Sequence, residues 1–373
     1  MSEYNQQLVS VPQHIAQLSA YTPGKSPEDI EREFGIKGTI KLASNENPIG
    51  ASPKAIKKIK NSLANLELYP DGGLSLRKKI ADKYVIKFEN VICGSGSESV
   101  LSCALRAFLD EEDEILSSSG TFIGFQVLAK MSGKKTHLIP QKNYTFDLNG
   151  IYKKINDSTK IIYLCNPNNP TGTAFTIDEL EGFMTKVPNN ILVILDEAYF
   201  EYSNGWPDYP DSMHYRWDNV LTLRSFSKVY GLAGIRIGYG MAHSDIISKL
   251  MKVKLPFEPS SLASAAGIAA LDDNEFLQKS IELNRLSLKY FHFHFERLGL
   301  KYTPSIANFV MIDFNVSELA HKIHFGLLKQ GIITRPLDAF GLPHCIRIST
   351  GTLEQNEKCI AALEAVLEHE HFH

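Results

Sequence analysis

The sequence predicts an α/β protein with a large, mainly parallel seven-stranded sheet in α/β/α layers and a smaller α+β domain. Between residue 41 and about residue 255, short apolar runs alternate with helical patterns, as is typical of parallel strands joined by helices. After Pro256 the sequence becomes rich in helical patterns with a few short strands. We therefore predict an N-terminal arm over 1–40, a large domain over 41–258 and a small domain over 259–373. The seven predicted strands of the large domain are NVICG, DEILSS, KTHLIP, KIIYLCN, NILVILDE, NVLTLRS and IRIGYGMA.

Composition limits the classes of function. A chain of 373 residues with 43% hydrophobic and 22% charged residues is long enough for two packed domains, and its formal net charge of -3 gives no reason to expect nucleic acid as a partner. The N-terminus shows neither an export signal nor a membrane-spanning run, so we expect a cytoplasmic protein. Five scattered cysteines without a CxxC motif predict buried thiols. Small molecules and a second copy of the chain are the expected partners.

A glycine-rich turn follows the first strand of the predicted sheet. In VICGSGSESVLSCAL a strand turns through glycines into a helix whose first residues include Ser97 and Glu98. Free backbone N–H groups and the positive end of the helix dipole at such a turn favour a phosphate group. A dinucleotide-binding loop and a plain strand-to-helix turn are the alternatives.

Two further strand ends carry polar side chains. The run KIIYLCNPNNPTG holds Asn169 in a loop stiffened by prolines and a glycine, although a purely structural turn explains the run equally well. The run NILVILDEAYFEY ends in Asp196, followed by Tyr199. A carboxylate at the end of a buried strand needs a cation or donors, such as a protonated ring nitrogen, unless it caps a helix.

The stretch SFSKVYGLAGIRIGYG surrounds a single lysine, Lys228, with groups suited to phosphate. Ser225 and Ser227 offer hydroxyls and Arg236 offers a planar fork of donors. A lysine held beside a phosphate site is well placed to form a Schiff base with an aldehyde. A ligand that would use all four strand ends is pyridoxal 5′-phosphate.

These motifs resemble those of fold type I pyridoxal-phosphate aminotransferases, in which N-P-x-N-P-T-G, D-E-A-Y and S-x-S-K-x-x-G-L-A-G-x-R-x-G occur in this order. The resemblance implies that Lys228 binds the cofactor covalently and that Asp196 pairs with its ring nitrogen. It also implies that Asn169 and Tyr199 bond the phenolic oxygen. Phe122 is expected to stack on the ring, although Gly120 replaces the usual proline of that loop and leaves Phe125 as an alternative. The expected phosphate ligands are Ser225, Ser227, Arg236 and the backbone of Ser97 and Glu98, with Tyr69 reaching the partner subunit's site in a homodimer.

The terminal segments of the chain resemble those of one group within this family. They are similar to those of the members of this family that transfer an amino group between histidinol phosphate and 2-oxoglutarate, a step of histidine biosynthesis that yields glutamate. The resemblance implies that Arg347 binds the substrate's anionic group, with help from Arg335 and Tyr21. The alternatives are an aromatic amino-acid aminotransferase and a phosphothreonine-type decarboxylase. The histidines at 292, 294, 321 and 324 lack a ligand pattern, so no metal is expected.

Overall fold

The computed structural model describes residues 9–18 and 26–371. Short 3-10 turns occur at Leu63–Asn65, Phe88–Asn90, Ala233–Ile235 and Asp338–Phe340. In the described part of the chain the strands are β1 Ile40–Lys41, β2 Val91–Gly94, β3 Glu114–Ser118, β4 Lys135–Ile139, β5 Thr159–Cys165, β6 Leu192–Asp196, β7 Val220–Ser225, β8 Gly238–Ala242, β9 Lys301–Tyr302, β10 Phe309–Asp313, β11 Ile332–Ile333, β12 Arg335–Pro336 and β13 Cys345–Ser349. The helices are α1 Gln13–Ala16, α2 Pro27–Phe34, α3 Pro53–Ser62, α4 Leu74–Tyr84, α5 Ser97–Phe108, α6 Ile123–Met131, α7 Leu148–Lys154, α8 Ile177–Met184, α9 Phe200–Ser203, α10 Ser212–Tyr215, α11 Ser244–Val253, α12 Ser261–Leu271, α13 Asn274–Arg297, α14 Ser317–Lys329 and α15 Leu353–His371.

A seven-stranded sheet forms the centre of the large domain, as predicted. Its strand order is β2-β8-β7-β6-β5-β3-β4, and only β8 runs antiparallel to its neighbours. The strands β5, β6 and β7 are almost entirely buried, because helices cover both faces of the sheet. Their apolar side chains form one continuous core with α5 and α8. The carboxyl ends of these three adjacent parallel strands therefore open at the same edge.

A second core lies in the C-terminal part of the chain. There β12, β13, β10 and β9 form an antiparallel sheet, whose side chains pack with α13, α14 and α15. The short strand β1 pairs in parallel with β11 and brings Leu42 into this second core. The helix α12, in contrast, packs against α3 and α4 beside the large sheet. The division into three parts at residues 40 and 258 stays a prediction.

Several helices begin where the sequence places capping residues. The Ser26 hydroxyl accepts a hydrogen bond from the Asp29 N–H, and the Ser26 N–H donates to the Asp29 carboxylate. The helix α2 therefore starts at the predicted Ser-Pro-Glu-Asp sequence. The same reciprocal arrangement between Thr176 and Glu179 starts α8. Across residues 9–18 and 26–371, none of the helices combines the length and the apolar character needed to cross a bilayer.

Candidate active site

A cavity of about 280 Å³ opens at the carboxyl ends of β5, β6 and β7. It contains every residue predicted to hold the cofactor except Tyr69. The folding of the parallel sheet thus brings together side chains that lie up to about 140 residues apart in the sequence, as expected for ligand sites of open α/β sheets. The lining residues are Ser44, Glu46, Ser97, Glu98, Phe122, Cys165, Asn169, Asp196, Ala198, Tyr199, Ser225, Ser227, Lys228, Ala233 and Arg236.

Lys228 lies in the loop that follows β7 and points towards Tyr199. Its Nζ is 5.5 Å from the centroid of the Tyr199 ring. Burial, together with the positive charges of Arg347 and Arg236, lowers the pKa of Lys228 to about 8. A lysine with a lowered pKa carries a larger neutral fraction near neutral pH, and the neutral amine is the form that attacks an aldehyde. The surroundings of Lys228 therefore favour a nucleophile.

Asp196, the last residue of β6, is held at the base of the cavity by two donors. The Tyr163 hydroxyl donates to Oδ2 at 2.7 Å, and the Ala198 N–H donates to Oδ1 at 3.2 Å. Burial raises the pKa of Asp196 to about 6. The helix-capping alternative is wrong, because α9 begins only at Phe200 with Tyr199 as its N-cap. A buried carboxylate with a raised pKa gains stability from a nearby cation, such as a protonated ring nitrogen.

Asn169 and Tyr199 are both held by residues that are remote in sequence. The Asn45 amide donates to the Tyr199 hydroxyl at 2.9 Å, and Arg347 Nη1 donates to Asn169 Oδ1. Because that oxygen is occupied, Asn169 has its NH₂ group to offer a ligand. Burial raises the pKa of Tyr199 above its usual range, so the hydroxyl keeps its proton. Two hydrogen-bond donors are thus fixed on the same side of the cavity.

The opposite end of the cavity provides donors and positive charge. The helix α5 begins at Ser97, and Gly96 adopts φ 90°, a conformation that favours glycine. A side chain at Gly238 would lie 2.2 Å from Ser97 N, so β8 approaches the helix start closely only because this residue is glycine. Ser225 and Ser227 are buried nearby. This arrangement suits a phosphate group.

Arg236 completes this end of the cavity. It donates to Ala233 O at 3.1 Å, and its Nη2 lies 3.4 Å from Glu98 Oε2. The dinucleotide alternative is wrong for the glycine turn, because β2 lies at the edge of the sheet and pairs only with the antiparallel β8. A dinucleotide loop follows a strand within a parallel βαβ unit.

The structure separates the two phenylalanines that sequence alone left as alternatives. Phe122 lines the cavity, whereas Phe125 is fully buried and stacks on Tyr163 with 3.9 Å between ring centroids. The loop of Phe122 is held in place because Asn168 Nδ2 donates to Gly120 O at 2.9 Å. The substitution of glycine for the usual proline therefore leaves the aromatic side chain at the cavity.

Arg347 and Arg335 lie directly opposite each other on the antiparallel strands β13 and β12. Arg347 is only 5% exposed, donates from Nη2 to Ala43 O at 2.6 Å and leaves its Nε without a partner. Burial and the neighbouring Arg335 lower the pKa of Arg347. Opposed like charges are unfavourable unless an anion joins them. Among the described residues, neither guanidinium forms an ion pair with a carboxylate.

Of the two remaining predicted residues, only Tyr69 is described, and it does not line the cavity of this chain. Tyr69 is 80% exposed and stacks on Phe257, with 4.3 Å between ring centroids. Tyr21 lies outside the described residues. Sequence reasoning missed Asn45, Glu46 and Tyr163. The first two lie in a polar run, SNEN, between apolar segments, which was a usable signal, whereas nothing in KIIYLCN distinguishes Tyr163 from a core residue.

The cysteines and histidines give little evidence of further chemistry. All five cysteines are buried free thiols, as predicted. In the described ranges, the one cluster with metal-ligand spacing is Asp313, His344 and Cys345. Its carboxylate already accepts from Tyr144 at 2.7 Å and pairs with Lys301 at 2.5 Å. These partners satisfy Asp313 without an ion.

A mainly parallel α/β sheet with a partly buried lysine, a buried aspartate and a phosphate-type cradle at its carboxyl edge defines an enzyme site that uses a lysine-bound cofactor. The model of the aminotransferase class I and II family matches residues 37–363, so the chain belongs to that family.

Named relatives extend over almost the whole chain. The chain is 42% identical over 354 residues to histidinol-phosphate aminotransferase 1 of Nitrosococcus oceani, covering 94% of this chain and 95% of the relative. It is 43% identical over 356 residues to histidinol-phosphate aminotransferase of Caldicellulosiruptor saccharolyticus, covering 95% of this chain and 99% of the relative. The crystal structure of histidinol-phosphate aminotransferase from Sinorhizobium meliloti in complex with pyridoxal 5′-phosphate superposes with a TM-score of 0.87 at 27% identity, covering 99% of this chain and all of that one.

Proposed function

We propose that this chain is a pyridoxal-phosphate-dependent aminotransferase that exchanges an amino group between histidinol phosphate and 2-oxoglutarate, a cytoplasmic step of histidine biosynthesis. The products are imidazole-acetol phosphate and glutamate. The observation that carries the substrate proposal is the opposed pair Arg335 and Arg347, which has no carboxylate of the described chain to balance it. The names of the relatives support the same substrate.

The residues of the cavity fit the cofactor. Asp196 is buried with a raised pKa and would pair with the protonated ring nitrogen. Asn169 and Tyr199 would donate to the phenolic oxygen, and Phe122 would cover one face of the ring. The phosphate would be held by a set of hydroxyls, backbone N–H groups and one guanidinium: Ser97, Glu98, Ser225, Ser227 and Arg236.

The chain's own groups would divide the chemistry among them. When bound, pyridoxal 5′-phosphate supplies an aldehyde that takes up the amino group and a protonated ring that withdraws electrons from the substrate's Cα. Lys228 would hold the cofactor covalently and, as a free amine, would accept the proton removed from the substrate's Cα as a general base. Asp196 would keep the ring nitrogen protonated. The amide of Asn169 and the hydroxyl of Tyr199 would orient the ring.

Arg347 explains how one site takes two different anions. Its planar guanidinium bonds two oxygens of either a phosphate monoester or a carboxylate. Arg335, on the adjacent strand, adds a second positive charge that favours the doubly charged phosphate. Histidinol phosphate and glutamate would therefore use the same arginine in the two half-reactions.

The test is an assay of the purified protein with histidinol phosphate and with phenylalanine, each with and without 2-oxoglutarate. We expect turnover of histidinol phosphate to exceed that of phenylalanine and to require 2-oxoglutarate. Faster turnover of phenylalanine would identify an aromatic amino-acid aminotransferase, and product formed without 2-oxoglutarate would identify a decarboxylase. The Lys228→Ala protein should lose both turnover and the visible absorption band of the lysine-bound cofactor.

We also propose a homodimer in which Tyr69 binds the cofactor phosphate of the partner subunit. The exposed, stacked pair of Tyr69 and Phe257 supports this, since large exposed apolar side chains often mark a protein interface. Mixing inactive Lys228→Ala and Tyr69→Ala proteins tests it. Dimers with one subunit of each kind contain one intact site, so exchange should restore roughly a quarter of wild-type activity. No recovery in mixed dimers would place Tyr69 outside the shared site.

A further inference from the structure

Glu46 lies on a short segment that is fixed on both sides. On one side, the Asn45 amide donates to the Tyr199 hydroxyl at 2.9 Å, and its backbone N–H donates to Ser349 Oγ at 2.9 Å. On the other side, the Asn47 amide donates to Val229 O at 2.8 Å, one residue beyond Lys228. Both asparagines are buried. The side chain of Glu46, which lines the cavity, therefore starts from a well-defined position.

The carboxylates that line the cavity have different surroundings. Asp196 accepts from Tyr163 and Ala198 at the base, and Glu98 faces Arg236 beside the phosphate cradle. Glu46 pairs with Lys41 instead and is close enough to Lys228 for its negative charge to act on that amine. Two of the three carboxylates thus have a role in the proposed cofactor site. Glu46 has none.

Within residues 9–18 and 26–371, Glu46 forms one ion pair, and that pair leaves it able to change partners. Lys41 Nζ lies 2.8 Å from Glu46 Oε1, with the two side chains 33% and 45% exposed. Ion pairs of this exposure contribute little, because water screens them and the long side chains lose freedom. A ligand N–H that enters the cavity can therefore replace the lysine at little cost.

We propose that Glu46 is a specificity-determining residue that accepts a hydrogen bond from the ring N–H of the substrate's imidazole. The proposal rests on the proposed function and adds to it a basis for substrate choice. Histidinol phosphate carries an anion at one end and a basic ring at the other, and the site offers Arg347 for the anion and Glu46 for the ring. A phenyl ring has no N–H to offer, so phenylalanine would leave the carboxylate without a ligand partner.

The experiment compares Glu46→Gln with wild type on two amino donors, histidinol phosphate and phenylalanine, with 2-oxoglutarate as acceptor. A hydrogen bond to a charged group is worth enough to expect a roughly 10- to 100-fold fall in kcat/KM for histidinol phosphate, mainly through KM. For phenylalanine we expect kcat/KM within about twofold of wild type, since no bond is lost. Calorimetry with cofactor-loaded Lys228→Ala protein, with and without Glu46→Gln, should show histidinol phosphate binding weakened by a similar factor.

Lys41→Gln is the matched control, because it removes the ion pair and keeps the acceptor. It should change kcat/KM for histidinol phosphate by less than about threefold. An equal fall for both donors in Glu46→Gln would mean that Glu46 acts through Lys228, and no change for either would remove it from substrate recognition. Both results overturn the proposal while leaving the proposed function intact. A wild-type protein that uses phenylalanine and not histidinol phosphate would overturn the proposed function itself.

Discussion

Two buried arginines, Arg224 on β7 and Arg347 on β13, show how the same side chain serves different purposes in two regions of the molecule. Arg224 is fully buried and donates to Glu197 Oε2 at 3.0 Å from Nε and 2.7 Å from Nη2. It also bonds Asp211 Oδ1 at 2.7 Å. Arg347 is almost as inaccessible, yet in the described part of the chain only the neutral oxygens of Asn169 and Ala43 accept from it.

The electrostatics of the two side chains differ accordingly. Burial lowers the pKa of Arg347 to about 10, with no carboxylate to counter it. Burial also disfavours the charge of Arg224, but Glu197 and its neighbours outweigh burial and raise the pKa above its usual range. A buried charge that is balanced inside the protein stabilises the fold, and one that is left unbalanced is available to a ligand. The comparison therefore supports a structural role for Arg224 and the proposed binding role for Arg347.

The largest expected effect is on stability in the Arg224 region. Arg224→Met leaves Glu197 buried without its cation, so we expect the free energy of unfolding to fall by about 3–5 kcal/mol. Urea denaturation measures this change in the free energy of unfolding. The double variant Arg224→Met, Glu197→Gln should recover part of this loss, because it removes the stranded charge as well. A single variant that loses less than about 1 kcal/mol would break the comparison.

The next effect is on catalysis in the Arg347 region. Arg347→Ala should lower kcat/KM for both histidinol phosphate and glutamate roughly 10²- to 10³-fold, because each would lose its bidentate partner. Its free energy of unfolding should stay within about 1 kcal/mol of wild type, since no ion pair is broken. Arg347→Lys keeps a charge without the planar guanidinium. Its kcat/KM in steady-state assays should therefore lie between those of Arg347→Ala and wild type. Unfolding of Arg347→Ala at ambient temperature would contradict the assignment.

Asp196 is a second unbalanced charge. Its raised pKa predicts that the stability of the cofactor-free protein depends on pH. The pKa rises from 3.8 to about 6 on folding, so the folded state binds more protons between these values. Stability should therefore fall as pH rises through this window, by on the order of 2–3 kcal/mol. Chemical denaturation of wild type and Asp196→Asn at pH 4 and pH 7 isolates the contribution. If the difference in the free energy of unfolding between the two proteins did not vary with pH, a contribution from Asp196 would be excluded.

The smallest effect concerns Arg236, whose side chain is 49% exposed and 3.4 Å from Glu98. Because water screens half of this side chain, we expect Arg236→Ala to weaken binding of pyridoxal 5′-phosphate only about tenfold. Glu98→Gln, which keeps the backbone donor, should change it less than threefold. Fluorescence titration of the cofactor-free proteins measures both constants. If Arg236→Ala lowered cofactor affinity by as large a factor as Arg347→Ala lowers kcat/KM, side-chain exposure would not distinguish the two arginines.

Much of the site could be predicted because catalysis demands particular residue types at particular places. Lys228, Asp196 and Ser225 each end or follow an apolar strand, and the ends of adjacent parallel strands meet at one edge of a sheet. The alternation of strands and helices therefore predicts that they lie together. Tyr163 could not be predicted, because a tyrosine inside an apolar strand looks the same whether it packs in a core or donates to Asp196.

The sequence by itself determined the sheet and predicted that Lys228, Asp196 and the proposed phosphate ligands lie at its carboxyl edge, since local patterns and spacing along single strands carry that information. Tertiary structure alone decided which phenylalanine reaches the cavity, that Arg335 faces Arg347, and that Asn45 and Asn47 hold Glu46 beside the site. The arginine pair depends on the register of β12 with β13, and the two asparagines contact residues more than 150 positions away. The position of Phe122 depends on contacts at the large sheet, such as the stacking of Phe125 on Tyr163. No local pattern encodes such contacts, because each joins segments that are separated in the sequence and meet only in the folded chain.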